Sequence, residues 1–503
     1  MAKIRKILIA NRGEIACRVI RTCRELGIKT VAVYSEPDRT ALHVQMADEA
    51  YLIGPAPSNK SYLVADKILE VAQISGADAV HPGYGFLSEN AAFADRCAEE
   101  GIIFIGPPAS AMAAMGDKVS ARLLMKEANV PMAPGTTDSI ADVEEAQKIA
   151  VSIGFPVLIK ASAGGGGKGM RIVHSEEEFA QAMQMAQSEA RSAFGDDRVY
   201  VEKYIVGPRH IEFQIMADQH GNVVYVFERE CSIQRRHQKV VEEAPSSILT
   251  PELRAQMGDA AVKAAKACGY VGAGTVEFLV DHEMNFYFME MNTRLQVEHP
   301  VTEMISGFDL VAEQIRVAEG EELGYTQDDL HMHGHAIECR VYAEDPMNNF
   351  LPDPGTLVRH AIPTGPNVRV DAGIAEGMDV QIYYDPMISK LCTWGKTRAA
   401  AIRAMQRALR EYEIVGCNTT IPFCQFVMSH EAFRSGNFDT HFVPTYYSPS
   451  VLETEDADLD EAAAVAALLY HAQQEPQATA TSGDGAAHVP ESALSAWYLK
   501  RKV

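Results

Sequence analysis

The sequence predicts an α/β protein with a parallel sheet at its N-terminus and a strand-rich middle. Three observations carry this reading: a βαβ rhythm in the first hundred residues, a glycine run held between two strands, and a hairpin with facing glutamates.

Lys6–Ala10 reads as a strand, Glu14–Leu26 as a helix closed by Gly27, and Thr30–Tyr34 as a second strand. The rhythm continues through Tyr62–Ile74, Ala79–Val80 and Ile102–Ile105, so helices should cover both faces of a parallel sheet. The first turn, Asn11-Arg12-Gly13, lacks the three glycines of a dinucleotide fingerprint, and nothing in it supports a nicotinamide-dependent oxidoreductase. Met115–Gly135 reads as a link. From Pro156 to Tyr287 short strands dominate: Val157–Lys160, Met170–Val173, Val199–Tyr204, His210–Met216 and Val223–Phe227. His335–Phe442 mixes hairpin signals at Pro363–Pro366 and Asp371–Gly377 with one helix, Arg398–Glu411. Beyond Ser448 an acidic run (Glu453–Glu461) and an Ala-, Thr-, Gly- and Pro-rich run (Gln473–Pro490) predict disorder around a helix at Asp460–Gln473.

A chain of 503 residues is long enough for several cores. No apolar run approaches the ~18–20 residues of a membrane span, and Asn11-Arg12 interrupts the short apolar run that an export signal would need to extend. Nine scattered cysteines without a C-x-x-C pair predict reduced thiols in a cytoplasm rather than disulfides or structural zinc. The net charge of −23 disfavours a general nucleic-acid surface, although a few cations in one cleft suffice for an anionic substrate.

The most informative stretch is Gly274–Glu298. Two β-rich runs flank a polar turn, and a turn centred between Glu283 and Met284 sets Glu277 opposite Glu290. Cross-strand partners have Cβ atoms ~4.5–5.5 Å apart, where like charges repel and a divalent cation removes the conflict. Glu290, Asn292, Arg294, Gln296 and Glu298 recur at period two, on one face of an unbroken strand. Same-face neighbours stand ~6.6 Å apart, so Glu290 and Asn292 can share metal ions; Glu298, ~26 Å from Glu290 along a straight strand, cannot. The chain must therefore bend after Arg294, with His299-Pro300 as a stop. The same pattern, taken alone, also describes a solvated amphipathic hairpin.

Gly164–Gly167, then Lys168-Gly169, lie between two strands, where glycine N–H groups can approach phosphate oxygens; a mobile hairpin lid is predicted, with Lys160 and Lys118 as phosphate partners. A glycine run by itself equally describes a flexible loop. Arg235-Arg236-His237-Gln238-Lys239, flanked by Glu228, Glu230, Glu242 and Glu243, suits a small-anion pocket or a salt-bridged strand better than a nucleic-acid patch. His331, His333 and His335 alternate, but His331 and His335 stand too far apart along a strand to meet one ion easily.

Six stretches carry a resemblance over residues 3–445: Ile9–Ala16, His81–Asn90, Met115–Lys118, Gly164–Met170, Gln234–Lys239 and Glu290–Glu303. Together they resemble the biotin carboxylase subunit of acyl-CoA carboxylases, within the ATP-grasp superfamily. The resemblance implies a Rossmann-like N-terminal domain (1–114), an ATP-grasp domain (115–334) with a lid at about 135–204, a C-terminal mixed α+β domain (335–446) and a tail (447–503). It implies an ATP-dependent ligase. Bicarbonate attacks the γ-phosphate of MgATP to give carboxyphosphate, and the carboxyl group passes to N1 of biotin, as the first half-reaction of an acetyl-CoA, propionyl-CoA or pyruvate carboxylase.

By the same resemblance Glu298 is the base for bicarbonate, while Arg294 holds bicarbonate and stabilises the biotin enolate. Arg340 serves the biotin side, with Tyr84 and Gly85 near the ring. Lys239, Gln296 and the Val297 backbone complete the bicarbonate site. Glu277, Glu290 and Asn292 hold Mg²⁺ or Mn²⁺. Lys118, Lys160, Gly166, Gly167, His210, Gln234 and His237 contact ATP, and Glu202, Lys203 and Ile205 meet adenine. The sequence holds no Ala-Met-Lys-Met turn for attaching biotin. Biotin is therefore expected on a separate carrier protein, with carboxyltransferase subunits and a homodimer as further implied partners.

Overall fold

The computed structural model describes residues 3–136, 139–140, 142–161, 170–195, 197–236, 238–453 and 465–468. The chain divides into two units, Met1–Leu452 and Glu453–Val503. In the second, only Glu453 and a helical turn at 465–468 are described, so the sequence expectations for the tail lie otherwise outside the described residues.

The first unit opens on five parallel strands, β1 (Lys6–Ile9), β2 (Lys29–Ser35), β3 (Glu49–Gly54), β4 (Ala79–His81) and β5 (Ile103–Phe104), in the order β3-β2-β1-β4-β5. Successive β1 residues serve opposite faces. Ile7 and Ile9 join one apolar core, and Leu8 joins another with Val31, Val33 and Phe93. That two-sided burial is what the βαβ rhythm requires. The sequence reading missed β3, whose apolar and polar residues do not alternate cleanly.

Three antiparallel strands, β6 (Val157–Ala161), β7 (Met170–Val173) and β8 (Val199–Lys203), form a small sheet in the order β7-β6-β8. Ile159, Val173 and Val201 pack there on Ala146 and Ala150 of helix Val143–Ile153 and on Phe179 and Met183 of helix Glu176–Phe194. The glycine run joining β6 to β7, with Gly166 and Gly167, lies outside the described residues, as does His237.

An eight-stranded sheet forms the centre. Its members are β9 (Arg209–Ala217), β10 (Val223–Arg235), β11 (Gln238–Ala244), β12 (Gly272–Val280), β13 (Phe286–Asn292) and β14 (His335–Tyr342), continued by β18 (Val368–Ala372) and β19 (Met387–Gly395). Short strands β15 (Glu344–Asp345) and β16 (Leu351–Pro352) pair with each other, as do β17 (Arg359–Ala361) and β20 (Glu413–Val415). The central order is β13-β12-β9-β10-β11-β14-β19-β18, so β11 pairs directly with β14 and one sheet runs across residue 334. Pro363–Pro366, read as a hairpin signal, joins strands of two different sheets, because β17 pairs with β20 and β18 with β19.

The core around Ile7, Ile9 and Ile15 continues into Leu295, Val301 and Ile305, so the parallel sheet and the segment after β13 share apolar burial. Among the described residues no helix is long and apolar enough to cross a membrane, and all nine cysteines are free.

Buried charges also tie the unit together. Glu243 on β11 accepts hydrogen bonds from Arg398 Nε (2.7 Å) and contacts His335 Nε2 at 2.7 Å. Burial alone would raise the Glu243 carboxyl, but His335 and Arg398 outweigh it and hold it at about 2 against an ordinary 4.5. A carboxyl depressed by folding stabilises the protein above its unfolded value and loses that contribution as pH falls through its folded one. Wild type should therefore exceed Glu243→Gln in denaturant stability by on the order of 3 kcal/mol near neutral pH. The difference should shrink between pH 5 and pH 2; a pH-independent difference would contradict the assignment.

Candidate active site

The β12–β13 hairpin sets Glu277 directly opposite Glu290. The turn is centred on Glu283, since Val280 pairs with Phe286, and a bulge between Glu277 and Phe278 restores the glutamate pairing. The bulge leaves Met289 unpaired and 42% exposed. Phe278, fully buried, anchors this strand edge-on against Phe213, Phe286 and Phe288.

β13 ends at Asn292, two residues before the expected bend, and a helix starts at His299 with Pro300 in its first turn. Pro300 thus opens a helix rather than stopping a chain, as its missing N–H and fixed φ allow. The turn folds Glu298 back towards the hairpin. Lys239 Nζ lies 2.9 Å from Glu277 Oε1 and 2.7 Å from Glu298 Oε1, and it also donates to Glu212. The two carboxylates that a straight strand would separate widely therefore share one ammonium.

Burial would raise Glu298, but Lys239, then Arg340 and Arg229, reverse this and hold its carboxyl well below the usual range. Burial likewise opposes the charge of Lys239, and Glu212, Glu277 and Glu298 overcome it, so the ammonium stays charged. The second oxygen of Glu298 accepts from Arg340 Nη2 at 3.0 Å, and Arg340 Nε donates to Glu242 Oε1 at 2.6 Å. Burial first, and then the competition of Arg340 against Glu298, leave the Glu242 carboxyl at about 7.

Arg294 spans the turn. Its guanidinium donates to Asn292 Oδ1 (3.1 Å), Gln296 Oε1 (2.8 Å) and Glu89 Oε2 (3.3 Å). Gln296 Nε2 reaches Glu277 Oε1 at 3.4 Å. The Val297 carbonyl accepts from Lys390 Nζ at 2.8 Å.

The nucleotide-side candidates gather on the other flank of the hairpin. His210 Nε2 lies 3.0 Å from Glu277 Oε2, and Gln234 Nε2 lies 2.9 Å from His210 Nδ1. Lys160 pairs with Glu202, which also meets Arg122 at 3.1 Å. Lys118 begins helix Lys118–Glu127; burial, and then the neighbouring charge of Lys160, lower its pKa. The Lys203 ammonium turns to the carbonyls of Gly154 (2.9 Å) and Phe155 (3.0 Å), and Ile205 follows β8, half-buried. Tyr84 donates to Glu14, and Arg340 is near enough for its charge to act on the phenol; Gly85 follows in a left-handed conformation (φ 67°).

Of the two readings left open for the basic run, the salt-bridged strand describes Arg235. Arg235 and Arg236 do not line an anion pocket. Gln234 faces Lys239 across the β10–β11 ladder, which sends Arg235 away to Glu344 and to the rings of Tyr342 and Phe350. Arg236 donates to the Asn349 carbonyl. His335 starts β14 and is spent on Glu243, and among the described residues the three imidazoles form no ligand cluster.

Glu212 and Arg229 were not singled out from the sequence. Both are fully buried; Arg229 pairs with Glu212 and donates to Gln214 (2.8 Å), Thr302 (2.9 Å) and Thr275 (3.0 Å). The signal was present: His210, Glu212 and Gln214 alternate with Ile211, Phe213 and Ile215 on β9, a polar face inside a buried strand.

Comparison with known proteins then decides the family. Residues 3–112 match the N-terminal domain of biotin carboxylase, 338–445 its C-terminal domain, and 117–326 the ATP-binding domain of the carbamoyl-phosphate synthase L chain. Over 444 residues the chain is 57% identical to biotin carboxylase 1 of Bacillus subtilis, covering 88% of this chain and 99% of that one. The chain belongs to the biotin carboxylase family. It is an ATP-dependent ligase that carboxylates biotin. A pyruvate carboxylase subunit from Methanothermobacter thermautotrophicus is 60% identical over 442 residues, covering 88% of this chain and 90% of that one. Among solved structures, the Campylobacter jejuni biotin carboxylase–β,γ-ATP complex superposes with a TM-score of 0.85 at 49% identity, covering 88% of this chain and 99% of that one. The biotin carboxylase domain dimer of Hydrogenobacter thermophilus 2-oxoglutarate carboxylase, in complex with MgADP, ADP and bicarbonate, does so at 0.85 and 51% identity, covering 91% and 100%.

In this biotin carboxylase the hairpin offers a hard-oxygen donor set that suits Mg²⁺: two carboxylates and the Asn292 amide. Glu277 is deeply buried, whereas Glu290 is exposed at the cleft. The walls around Glu290 limit its hydration and the charge of Glu277 repels it, so its carboxyl is raised. Asn292 Nδ2 donates to Glu277 Oε1 at 2.8 Å, so ligation through its oxygen requires the amide to turn. Glu290→Gln should raise the Mg²⁺ concentration for half-maximal ATP cleavage about tenfold or more while leaving metal-free thermal stability equal to or above wild type. Unchanged Mg²⁺ dependence would remove Glu290 from the metal site.

Proposed function

We propose that Glu298 links the two chemical steps of this biotin carboxylase, with one oxygen on the nucleotide side and the other on the biotin side. The observation that carries this is its sharing between Lys239 (2.7 Å) and Arg340 (3.0 Å) at zero exposure. Mg²⁺, held by Glu277, Glu290 and Asn292, would supply charge neutralisation along the phosphates. Lys118, Lys160, His210 and Gln234 bind the nucleotide, with Glu202, Lys203 and Ile205 towards its base; Gly166, Gly167 and His237 complete the set.

Bicarbonate sits against Arg294, Gln296, the Val297 backbone and Lys239, where Glu298 is close enough to take its proton. The bicarbonate oxygen attacks the γ-phosphorus, ADP leaves, and carboxyphosphate forms. In the second step biotin N1 attacks the carboxyl carbon as the C–O bond to the phosphate breaks, and the N1 proton leaves on the released phosphate. Arg294 and Arg340, permanently charged, stabilise the negative charge that develops on the ureido oxygen. Tyr84 and Gly85 wall the biotin side. With its carboxyl held well below the usual range, Glu298 is ionised before bicarbonate arrives.

Biotin is presented by a biotin carboxyl carrier protein that works with carboxyltransferase subunits, and the catalytic chain pairs as a homodimer. Two likenesses support this: the 60%-identical relative is one subunit of its carboxylase, and one structural neighbour is a domain dimer. ATP hydrolysis measured with and without bicarbonate, then with free biotin, tests the reading. Hydrolysis should rise with bicarbonate and couple to carboxybiotin when biotin is added, and indifference to both would overturn it. Arg294→Ala should lower biotin carboxylation by on the order of 10²-fold with MgATP affinity within about twofold of wild type. A parallel loss of MgATP affinity would contradict its role.

A further inference from the structure

The motif Ile9–Ala16 contains none of the residues assigned above, yet its polar members reach the active site. Asn11 Nδ2 donates to the carbonyls of Pro82 (2.7 Å) and Tyr84 (2.8 Å). Gly83 between them is left-handed (φ 64°), and a Cβ there would meet Asn11 Nδ2 at 2.9 Å, so only glycine lets the loop close on the amide. Gly13 opens helix Gly13–Glu25, and Glu14 follows it, 4% exposed, accepting the hydrogen bond from the Tyr84 phenol.

The other oxygen of Glu14 lies 3.3 Å from Lys390 Nζ, a fully buried ammonium that also donates to the Val297 carbonyl at 2.8 Å. In the sheet Lys390 stands between Arg340 on β14 and Asp371 on β18. Burial opposes its charge, but Glu14, Glu338 and Asp371 outweigh that and keep it protonated. One ammonium thus grips the Val297–Glu298 peptide group and, through Glu14, the phenol of Tyr84. A pair serving stability alone has no need to contact both Tyr84 and the Glu298-bearing turn, and buried pairs are weak stabilisers compared with apolar packing.

We propose that Glu14 and Lys390 are positioning residues for the carboxyl-transfer step, setting Tyr84 against the Glu298-bearing turn at the spacing the biotin ring requires. The inference rests on the reading of Tyr84 as part of the biotin side.

Free biotin serves as the probe, with MgATP affinity and bicarbonate-dependent ATP cleavage measured alongside carboxylation. Lys390→Met should lower kcat/KM for biotin by on the order of 10²-fold, with MgATP affinity within about twofold of wild type and fewer carboxybiotins formed per ADP. Glu14→Gln keeps an acceptor for the phenol and should lose less than Glu14→Ala; this series carries the test where Lys390→Met does not fold. Tyr84→Phe should cost less in the Glu14→Ala background than in wild type, because the two act through one contact. Additive losses, or MgATP affinity falling in parallel with carboxylation, would overturn the positioning role while leaving Tyr84 on the biotin side. A Tyr84→Phe enzyme with unchanged biotin kinetics would instead remove the biotin-side reading itself, and the inference with it.

Discussion

A buried carboxylate must find a cation, and in this protein three of them find the same one. Glu212, Glu277 and Glu298 come from β9, β12 and the turn after β13, and all converge on Lys239 of β11. Removing the Lys239 ammonium would leave three buried carboxylates short of their shared cation, a change that costs several kcal/mol. The shared ammonium therefore sets the spacing between β12, proposed to face the nucleotide, and the turn proposed to perform the carboxyl chemistry. Arg229 repeats the device one layer deeper, fully buried against Glu212 with hydrogen bonds to Gln214, Thr275 and Thr302.

The continuity of the eight-stranded sheet explains how so many charges can be held in register. Cross-strand partners in an antiparallel ladder point to the same face, so pairing Glu242 with Glu338, and Arg340 with Lys390, builds a charged platform. Helix His299–Ser306 packs over β14 on this platform, and its start carries Glu298. The apolar core reaches the same segment from the other side, through Leu295, Val301 and Ile305. Rigid elements on two sides make the turn a fixed feature, which is the condition for a preorganised site.

The hairpin was legible because its information is local. Two β-rich runs and a polar turn dictate which residues face one another, and the glutamate pairing survived even though the turn is centred on Glu283 rather than between Glu283 and Met284, because a bulge compensates. The period-two reading of Glu290 and Asn292 held for the same reason, while it expired at Asn292, where the strand ends. For Arg235 and Arg236 the sequence left a small-anion pocket and a salt-bridged strand both open, because composition registers charge without direction; the β10–β11 pairing that turns them towards the C-terminal segment is a fact of register. Pro363–Pro366 carried genuine turn chemistry, but turn chemistry says nothing about which sheet the next strand joins.

By itself the sequence determined the α/β alternation, the carboxylate pair, the need for a bend before Glu298 and, through motifs spread over most of the chain, the resemblance to biotin carboxylases. These follow from short-range periodicity and residue chemistry, which a linear chain expresses directly. Tertiary structure alone decided that Lys239 closes the gap between Glu277 and Glu298, that Arg229 neutralises Glu212, and that Glu14 meets Lys390 across hundreds of residues. Buried ions are paired by the low dielectric around them, and that environment exists only once distant strands have been brought into one sheet.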